Sequence, residues 1–422
     1  MLRHPLVRML FTLRGNPRAC VYTEPLWGIP YNLYAPYVSV YMLALGLKDS
    51  QIGLLISIGL IVQVFSAILG GPITDKMGRR NATFFFDLLS WSVPTLIWAV
   101  AQDFNYFLVA ALFNGAWRIT HTSWSCLMVE DADPEQLVDI YSWVYISGLL
   151  SAFFAPIAGL LINAYTLVPT VRALFVFAFI MMTAKFWVLW KYSTETKQGE
   201  IRMLETRNQS LLHLVSGYGD VLRKVLRNPT TLFTLGILLT MSMGNTIQNT
   251  FWSILVTKNL QIPDEHLALF PFARSIVMLF FFFLAMGRIK ALNFRNPMMI
   301  GFAGLALNAL ILVTAPEKSY LLLLVSTFIE ACSYAAVSTQ IDRMIVVTVE
   351  AQDRARIMAL LFLVVIIFTA PLGWIAGQLS EINRVLPFMV NIGLFSIGAV
   401  LVFLASRHPQ HNEVVVPAVE EI

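Results

Sequence analysis

Asn114, Arg118, His121 and Ser125 lie in an apolar run at spacings of four, three and four residues. That spacing places all four on one face of a helix. A second apolar run holds Glu330 with Ser326, Ser333, Tyr334 and Ser338. If the two runs lie in lipid, a lone charge near the middle costs about 3 kcal/mol on insertion scales, so each needs a partner or a wet cavity. Two chemistries follow. Arg118 can anchor an anionic or hydroxyl group of a solute while Glu330 binds and releases a proton. Alternatively, Arg118 and Glu330 form a permanent pair that only holds two parts of the protein in register. His121, one turn from Arg118, fits either role or a satisfied structural one. Two further runs carry polar stripes: Tyr31, Asn32, Tyr34 and Tyr37 between Pro30 and Pro36, and Ser242, Asn245, Gln248, Asn249 and Trp252. In hydrocarbon such stripes must face protein or water. Asp87, Lys185 and Arg274 stand nearer run ends or on supporting runs, and no solute contact is expected of them. Lys185 is long enough to snorkel, and Glu24 is expected to pair at the rim of the first run.

The elements that must position these groups are legible from composition. The chain has 422 residues, 57% hydrophobic and 13% charged, about half the ~25% charge of a soluble domain. Its mean hydropathy is +0.70. This excludes disorder, nucleic-acid scaffolds and most cytosolic enzymes, and makes lipid the solvent. Twelve runs are long enough to cross a bilayer: 24–46, 52–73, 82–101, 106–128, 140–163, 171–190, 231–256, 266–287, 297–314, 319–341, 357–379 and 387–405. With the N-terminus inside, 21 Lys and Arg fall on cytoplasmic segments against 5 outside. The positive-inside rule therefore puts both termini in the cytoplasm, with the plasma (inner) membrane as the expected location. The basic start has no small-residue cleavage site, so the first run is expected to serve as its own insertion signal. Cys20, Cys126 and Cys332 make no disulfide framework.

The expected organisation is a basic amphipathic arm (1–22), a six-helix bundle (23–191), a cytoplasmic linker (192–229), a second six-helix bundle (230–406) and a tail (407–422). In the arm, Leu2, Leu6, Met9, Leu10 and Leu13 recur at helical spacing. In the linker, Leu211, Val215, Tyr218, Leu222, Val225 and Leu226 do the same against basic residues. Both read as interfacial helices on anionic lipid. The halves repeat at an offset of 215: Leu45, Asp49 and Ile52 recur as Leu260, Asp264 and Leu267, and Ala155-Pro156 as Ala370-Pro371. Copies of equal topology imply a parallel repeat with a solute site near the midplane.

Between the second and third runs stands Gly71-Pro72-Ile73-Thr74-Asp75-Lys76-Met77-Gly78-Arg79-Arg80. It resembles the signature G-x-x-x-D-[RK]-x-G-[RK]-[RK] of the major facilitator superfamily. A decayed copy, Gly287-Arg288 through Arg295, lacks the Asp. The resemblance implies an all-α membrane fold of twelve helices in two pseudo-symmetric bundles, and transport by alternating access. It implies a latch in which Asp75 meets the start of the eleventh run while Arg79 and Arg80 reach Glu130 or Asp131. It also implies that the first, fourth, seventh and tenth helices line the cavity. On those helices the expected solute contacts are Asn32, Tyr34, Asn114, Arg118, His121, Asn245, Gln248, Asn249, Trp252 and Tyr334, with Glu330 as the proton site.

The function expected first is secondary transport of a small polar solute, a sugar or an organic anion, coupled to protons. The alternative is proton-driven export of amphiphilic compounds, for which Trp117, Trp124 and Trp252 speak. Subfamily markers for antiporters and sugar porters are incomplete. HExxH, GxSxG and GxxxxGK[ST] do not occur, so zinc or serine hydrolysis and ATP-driven pumping lack their parts. No enzyme activity, cofactor, metal or nucleic-acid partner is expected. The expected partners are a small solute, the proton and membrane lipid, and a monomer is the expected state.

Overall fold

The computed structural model describes residues 10–210, 229–284, 295–348 and 354–407. The first part of the arm, the interfacial stripe of the linker, the decayed motif copy before Arg295 and most of the tail lie outside the described residues.

The described chain is helical. In order come α1 (Gly15–Thr23), α2 (Pro25–Tyr34), α3 (Val38–Ala44), α4 (Asp49–Met77), α5 (Arg79–Asp87), α6 (Val93–Ala99), α7 (Phe104–Asn114), α8 (Trp117–Val129), α9 (Leu137–Ser151), α10 (Ala155–Tyr165), α11 (Leu167–Tyr192) and α12 (Lys197–Thr206). Then follow α13 (Pro229–Ile254), α14 (Leu269–Leu284), α15 (Arg295–Thr314), α16 (Tyr320–Thr348), α17 (Arg354–Ile382) and α18 (Leu386–Ala405). Among the described residues, eight helical stretches are long and apolar enough to cross a membrane. Other apolar runs are helical too, but interrupted or more polar. Proline 36 sits in a 3-10 turn between α2 and α3, where its missing N–H breaks the ladder. Gly115-Ala116 separates α7 from α8. A Cβ on Gly115 would meet Val62, so glycine there lets α4 close against the break. Leu160, Ile300 and Leu321 are more than 70% exposed, an apolar exterior suited to lipid rather than water.

Packing sorts mostly within the first and second parts of the chain. α11 lies on α2 and α6, α8 on α4 and α5, α15 on α16 and α18, and α13 on α17 and α18. The largest core joins both parts: Tyr37, Tyr41, Phe107 and Phe175 are buried in one cluster with Ile247, Phe251, Phe270 and Phe388. The most extensive crossing between the parts is α4 on α17. It is built from small residues. Gly53 faces the carbonyl of Gly373 and the Cα of Gly377 so closely that a side chain on it has no room. Such small-residue spacing lets helix backbones meet in a bilayer. One turn on, Ser57 donates to Ala370 O at 2.5 Å and accepts from Trp374 N at 2.7 Å. Its hydroxyl thus stands in the α17 ladder just past Pro371, where the helix is already missing a donor. Asp49 closes this end by accepting from Ser380 at 2.6 Å and Arg384 at 3.2 Å. A second crossing sets Gly159 of α10 against the Glu265 carbonyl, Phe153 edge-on to Phe272 and Ser275 onto Leu149 O.

One expectation needs correction here. The described end of the arm does not lie free on lipid. Leu13 is 2% exposed and packs with Cys20 and Val21 of α1 against Leu127, Met128, Ile140 and Leu189. Asn16 also exchanges two hydrogen bonds with the Thr194 backbone. Leu10 and Leu13 thus gain more from an intramolecular core than an interfacial helix would offer them.

Candidate functional site

A cavity of about 560 Å³ opens between α2, α5, α8, α11 and α13. Glu24, Trp27, Tyr31 and Tyr34 all line it. Their spacings of three, four and three put them on one face of α2. Trp27 stacks on Tyr31 with centroids 4.7 Å apart, and Trp91 meets Trp27 edge-on at 5.0 Å. Trp91 comes from a single π turn, Leu88–Ser92, directly after α5. A π turn inserts an extra residue and changes which side chains face inward. From α8 come Trp117, Thr120, His121 and Trp124, and from α13 Asn249 and Thr250, while Trp98 and Asn114 complete the polar-aromatic wall. The Tyr34 hydroxyl and the Trp124 indole N–H are buried without a hydrogen-bond partner among the described residues.

One end of the cavity is charged. The Lys185 ammonium lies 2.8 Å from Glu24 Oε2, 5.8 Å from the Trp27 ring and 5.7 Å from the Trp124 ring. Asp87 Oδ1 accepts from Thr120 Oγ1 at 2.7 Å. Lys185 is 5% exposed and Asp87 7%. Sequence reasoning assigned Glu24, Asp87 and Lys185 supporting or rim positions, and the structure places all three on the cavity wall. For Glu24 the signal is its three- and four-residue spacing from Trp27 and Tyr31; for Asp87 and Lys185, on other helices, no spacing in the sequence reveals the cavity.

Arg118 and Glu330, a permanent pair in one of the two readings above, do not pair. The Arg118 guanidinium lies over the Trp117 ring at 4.3 Å, with Nε 3.4 Å from Gln63 Oε1, and it is not among the lining residues. Glu330 is held in a fork by Arg274 of α14, at 2.6 and 3.1 Å. Tyr334 lies under the same guanidinium at 5.0 Å. Arg274 is closer because α14 packs directly on α16, a proximity no sequence spacing reveals. Of the expected solute contacts, Tyr34, Asn114, His121 and Asn249 are on the wall. Asn114 also donates to Ser90 O. Asn32 donates back to Gly28 O of its own helix, and Trp252 packs edge-on against Phe270. Asn245 and Gln248 are half-buried on α13, off the wall.

The motif turn forms a separate charged cluster. Gly78 alone links α4 to α5 at φ 80°, a conformation that favours glycine. Arg79, 4% exposed, reaches Glu130 through Nε at 2.9 Å and Nη2 at 3.0 Å, and Asp75 through Nη1 at 3.0 Å. Arg80 donates to Trp190 O. Two partners were not foreseen. Glu195 accepts from the Arg79 and Arg80 backbone N–H groups at 2.8 and 3.1 Å, capping α5. Arg202 of α12 binds Asp75 at 3.0 Å, a hydrogen bond that holds its guanidinium above the ordinary value. Asp75 was expected to meet the start of the eleventh run, whose side chains lie outside the described residues; its described side-chain partners are Arg79 and Arg202. Asp131 sits 3.4 Å from the Lys197 backbone N–H. Gly71 has open space around it.

The Major Facilitator Superfamily family model matches residues 28–244. The chain is 25% identical to the MFS-type transporter YqjV of Bacillus subtilis (strain 168) over 131 residues, 31% of this chain and 32% of that protein. It is 29% identical to the quinolone resistance protein NorA of Staphylococcus aureus over 84 residues, 20% of this chain and 21% of NorA. The chain thus spans about a third or less of the curated relatives it matches. In fold it is similar to a crystal structure of a mutant nucleoside transporter NupG, at 14% identity and TM-score 0.74, covering 93% of this chain and 100% of that one. With a family model matched over half its length and a solved transporter fold along nearly all of it, this multi-pass membrane chain belongs to the Major Facilitator Superfamily.

Proposed function

We propose that the chain is a secondary transporter of small amphiphilic solutes bearing an aromatic ring, working by alternating access. Twelve spans form two six-helix bundles, with both termini cytoplasmic in the plasma membrane, and the bundles rock about the α4–α17 and α10–α14 crossings. The observation that carries this reading is the cavity. Seven aromatic side chains (Trp27, Tyr31, Tyr34, Trp91, Trp98, Trp117 and Trp124) share its wall with Glu24, Asp87 and Lys185. Stacked and edge-on aromatic pairs contribute about 0.5–1.5 kcal/mol each beyond burial, so such a wall favours a planar ring over a sugar. An organic anion held by Arg118 finds less support, because Arg118 stands off the wall. The partial likeness to a quinolone resistance protein leans the same way.

Proton coupling is assigned to Asp87 rather than Glu330. Glu330 is already forked by Arg274, whereas Asp87 has a hydroxyl donor and no ion-pair partner within 4.0 Å among the described residues. The groups around it are Lys185, Glu24, Cys20 and His121.

The test is flux in liposomes under an imposed pH gradient, with a panel of aromatic cations, anions and sugars. Trp91→Ala is expected to cut uptake of the transported aromatic solute three- to tenfold. Asp87→Asn is expected to keep downhill exchange but ignore the pH gradient. Equal flux of sugars and aromatics, or unchanged flux in Trp91→Ala, overturns the reading.

A further inference from the structure

The charged end of the cavity is built around an ammonium ion that the chain itself supplies. Lys185 Nζ touches one carboxylate, Glu24, and lies near two indole rings, Trp27 and Trp124. A carboxylate and aromatic faces are the set that recognises a cationic nitrogen from a ligand. All four residues line the cavity, and so does Asp87. With Asp87 deprotonated and His121 neutral, the wall carries two negative charges, Glu24 and Asp87, against one positive charge, Lys185, so one further positive charge completes neutrality. The lysine stem has four rotatable bonds, and Asp87 offers its ammonium a second carboxylate in the same cluster. Trp124 also leaves its indole N–H buried and unpartnered beside the site.

Resting on the reading of the cavity as a solute site, we propose that this end is an ammonium site occupied at rest by Lys185. The solute is an amphiphilic organic cation. Its charged nitrogen takes the place of the Lys185 ammonium against Glu24, Trp27 and Trp124, and Lys185 turns to Asp87. The lysine is thus a tethered competitor, present at an effective concentration in about the mM range. It fills the cage when solute is absent, so Glu24 is never left bare in low dielectric.

The sign of one mutation separates this from an anion-anchoring lysine. Equilibrium binding to the full-length purified protein is measured with radiolabelled 1-methyl-4-phenylpyridinium, a permanent aromatic cation, and with 4-phenylbenzoate, an anion of similar ring system. Lys185→Met is expected to bind the cation about tenfold more tightly, because the competitor is gone. Glu24→Gln is expected to weaken it at least tenfold. If Lys185→Met does not fold with two uncompensated acids, the double variant Lys185→Met/Asp87→Asn leaves one, and the gain in cation affinity is read there. Weaker or unchanged cation binding on loss of Lys185 overturns the proposal. So does wild-type binding of 4-phenylbenzoate that disappears in Lys185→Met. In that second case the aromatic-solute reading survives, whereas unchanged binding and flux of both probes in Trp91→Ala would bring down the cavity reading itself.

Discussion

Replacing Gly53 with alanine adds one methyl group at the most extensive crossing between the two parts of the described chain. The new Cβ would fall on the Gly373 carbonyl oxygen and the Gly377 Cα. Both are backbone atoms, so no rotamer relieves the clash and α4 must move off α17. Overpacking of this kind costs about 1–3 kcal/mol. Separation also stretches the two Ser57 bonds to α17 and the two Asp49 bonds to Ser380 and Arg384, each contributing about 0.5–1.5 kcal/mol net. Losing the methyl's space and one or two of these bonds shifts the equilibrium away from the closed crossing by about 2–4 kcal/mol. That is roughly a 30- to 700-fold change in population at 1.4 kcal/mol per decade. The assay is the distance distribution between spin labels at positions 51 and 381 in a background lacking Cys20, Cys126 and Cys332. Gly53→Ala is expected to move the main population to longer distances and to lower the melting temperature. Gly59→Ala, on the same helix with nothing within 4 Å of its new Cβ, is the control. If Gly53→Ala leaves both readouts where Gly59→Ala leaves them, the crossing is not a closed contact and the rocking surface lies elsewhere.

Two further outcomes follow from the ion pairs. Arg79→Ala leaves Glu130 and Asp75 facing each other without their shared guanidinium; a buried pair broken on one side costs about 3–5 kcal/mol, so a lower melting temperature and reduced flux are expected, and an unchanged melting curve would show the cluster to be solvated. Arg274→Ala should destabilise through the stranded Glu330. The loss should fall at the low end of that same range of about 3–5 kcal/mol, because the Arg274 side chain is 36% exposed. The double variant Arg274→Ala/Glu330→Gln should recover most of it, whereas additive losses in a double-mutant cycle would mean the two residues act separately.

The class of protein and the positions of eight membrane-length helical stretches among the described residues were legible before any coordinates. Hydrophobic runs of bilayer length are a local property, because each helix satisfies its own backbone in lipid. The motif turn was legible as well: Gly78 at positive φ and the Arg79–Glu130 pair follow from residue types at short separation or at a family position. Of the first polar stripe, Tyr31 and Tyr34 line the cavity while Asn32 and Tyr37 do not, since Tyr31 and Tyr34, spaced at three, share a face of α2 that Asn32 does not, and Tyr37 lies past the end of α2. The partners of buried charges were another matter. Arg118 and Glu330 look like a pair in sequence because both are mid-run on related helices. Yet Glu330 binds Arg274 and Lys185 binds Glu24, since a desolvated charge takes the nearest opposite charge in space, and helix rotation and crossing decide which that is. Spacing determines which residues share a face, and only the packing of one helix on another decides what that face meets.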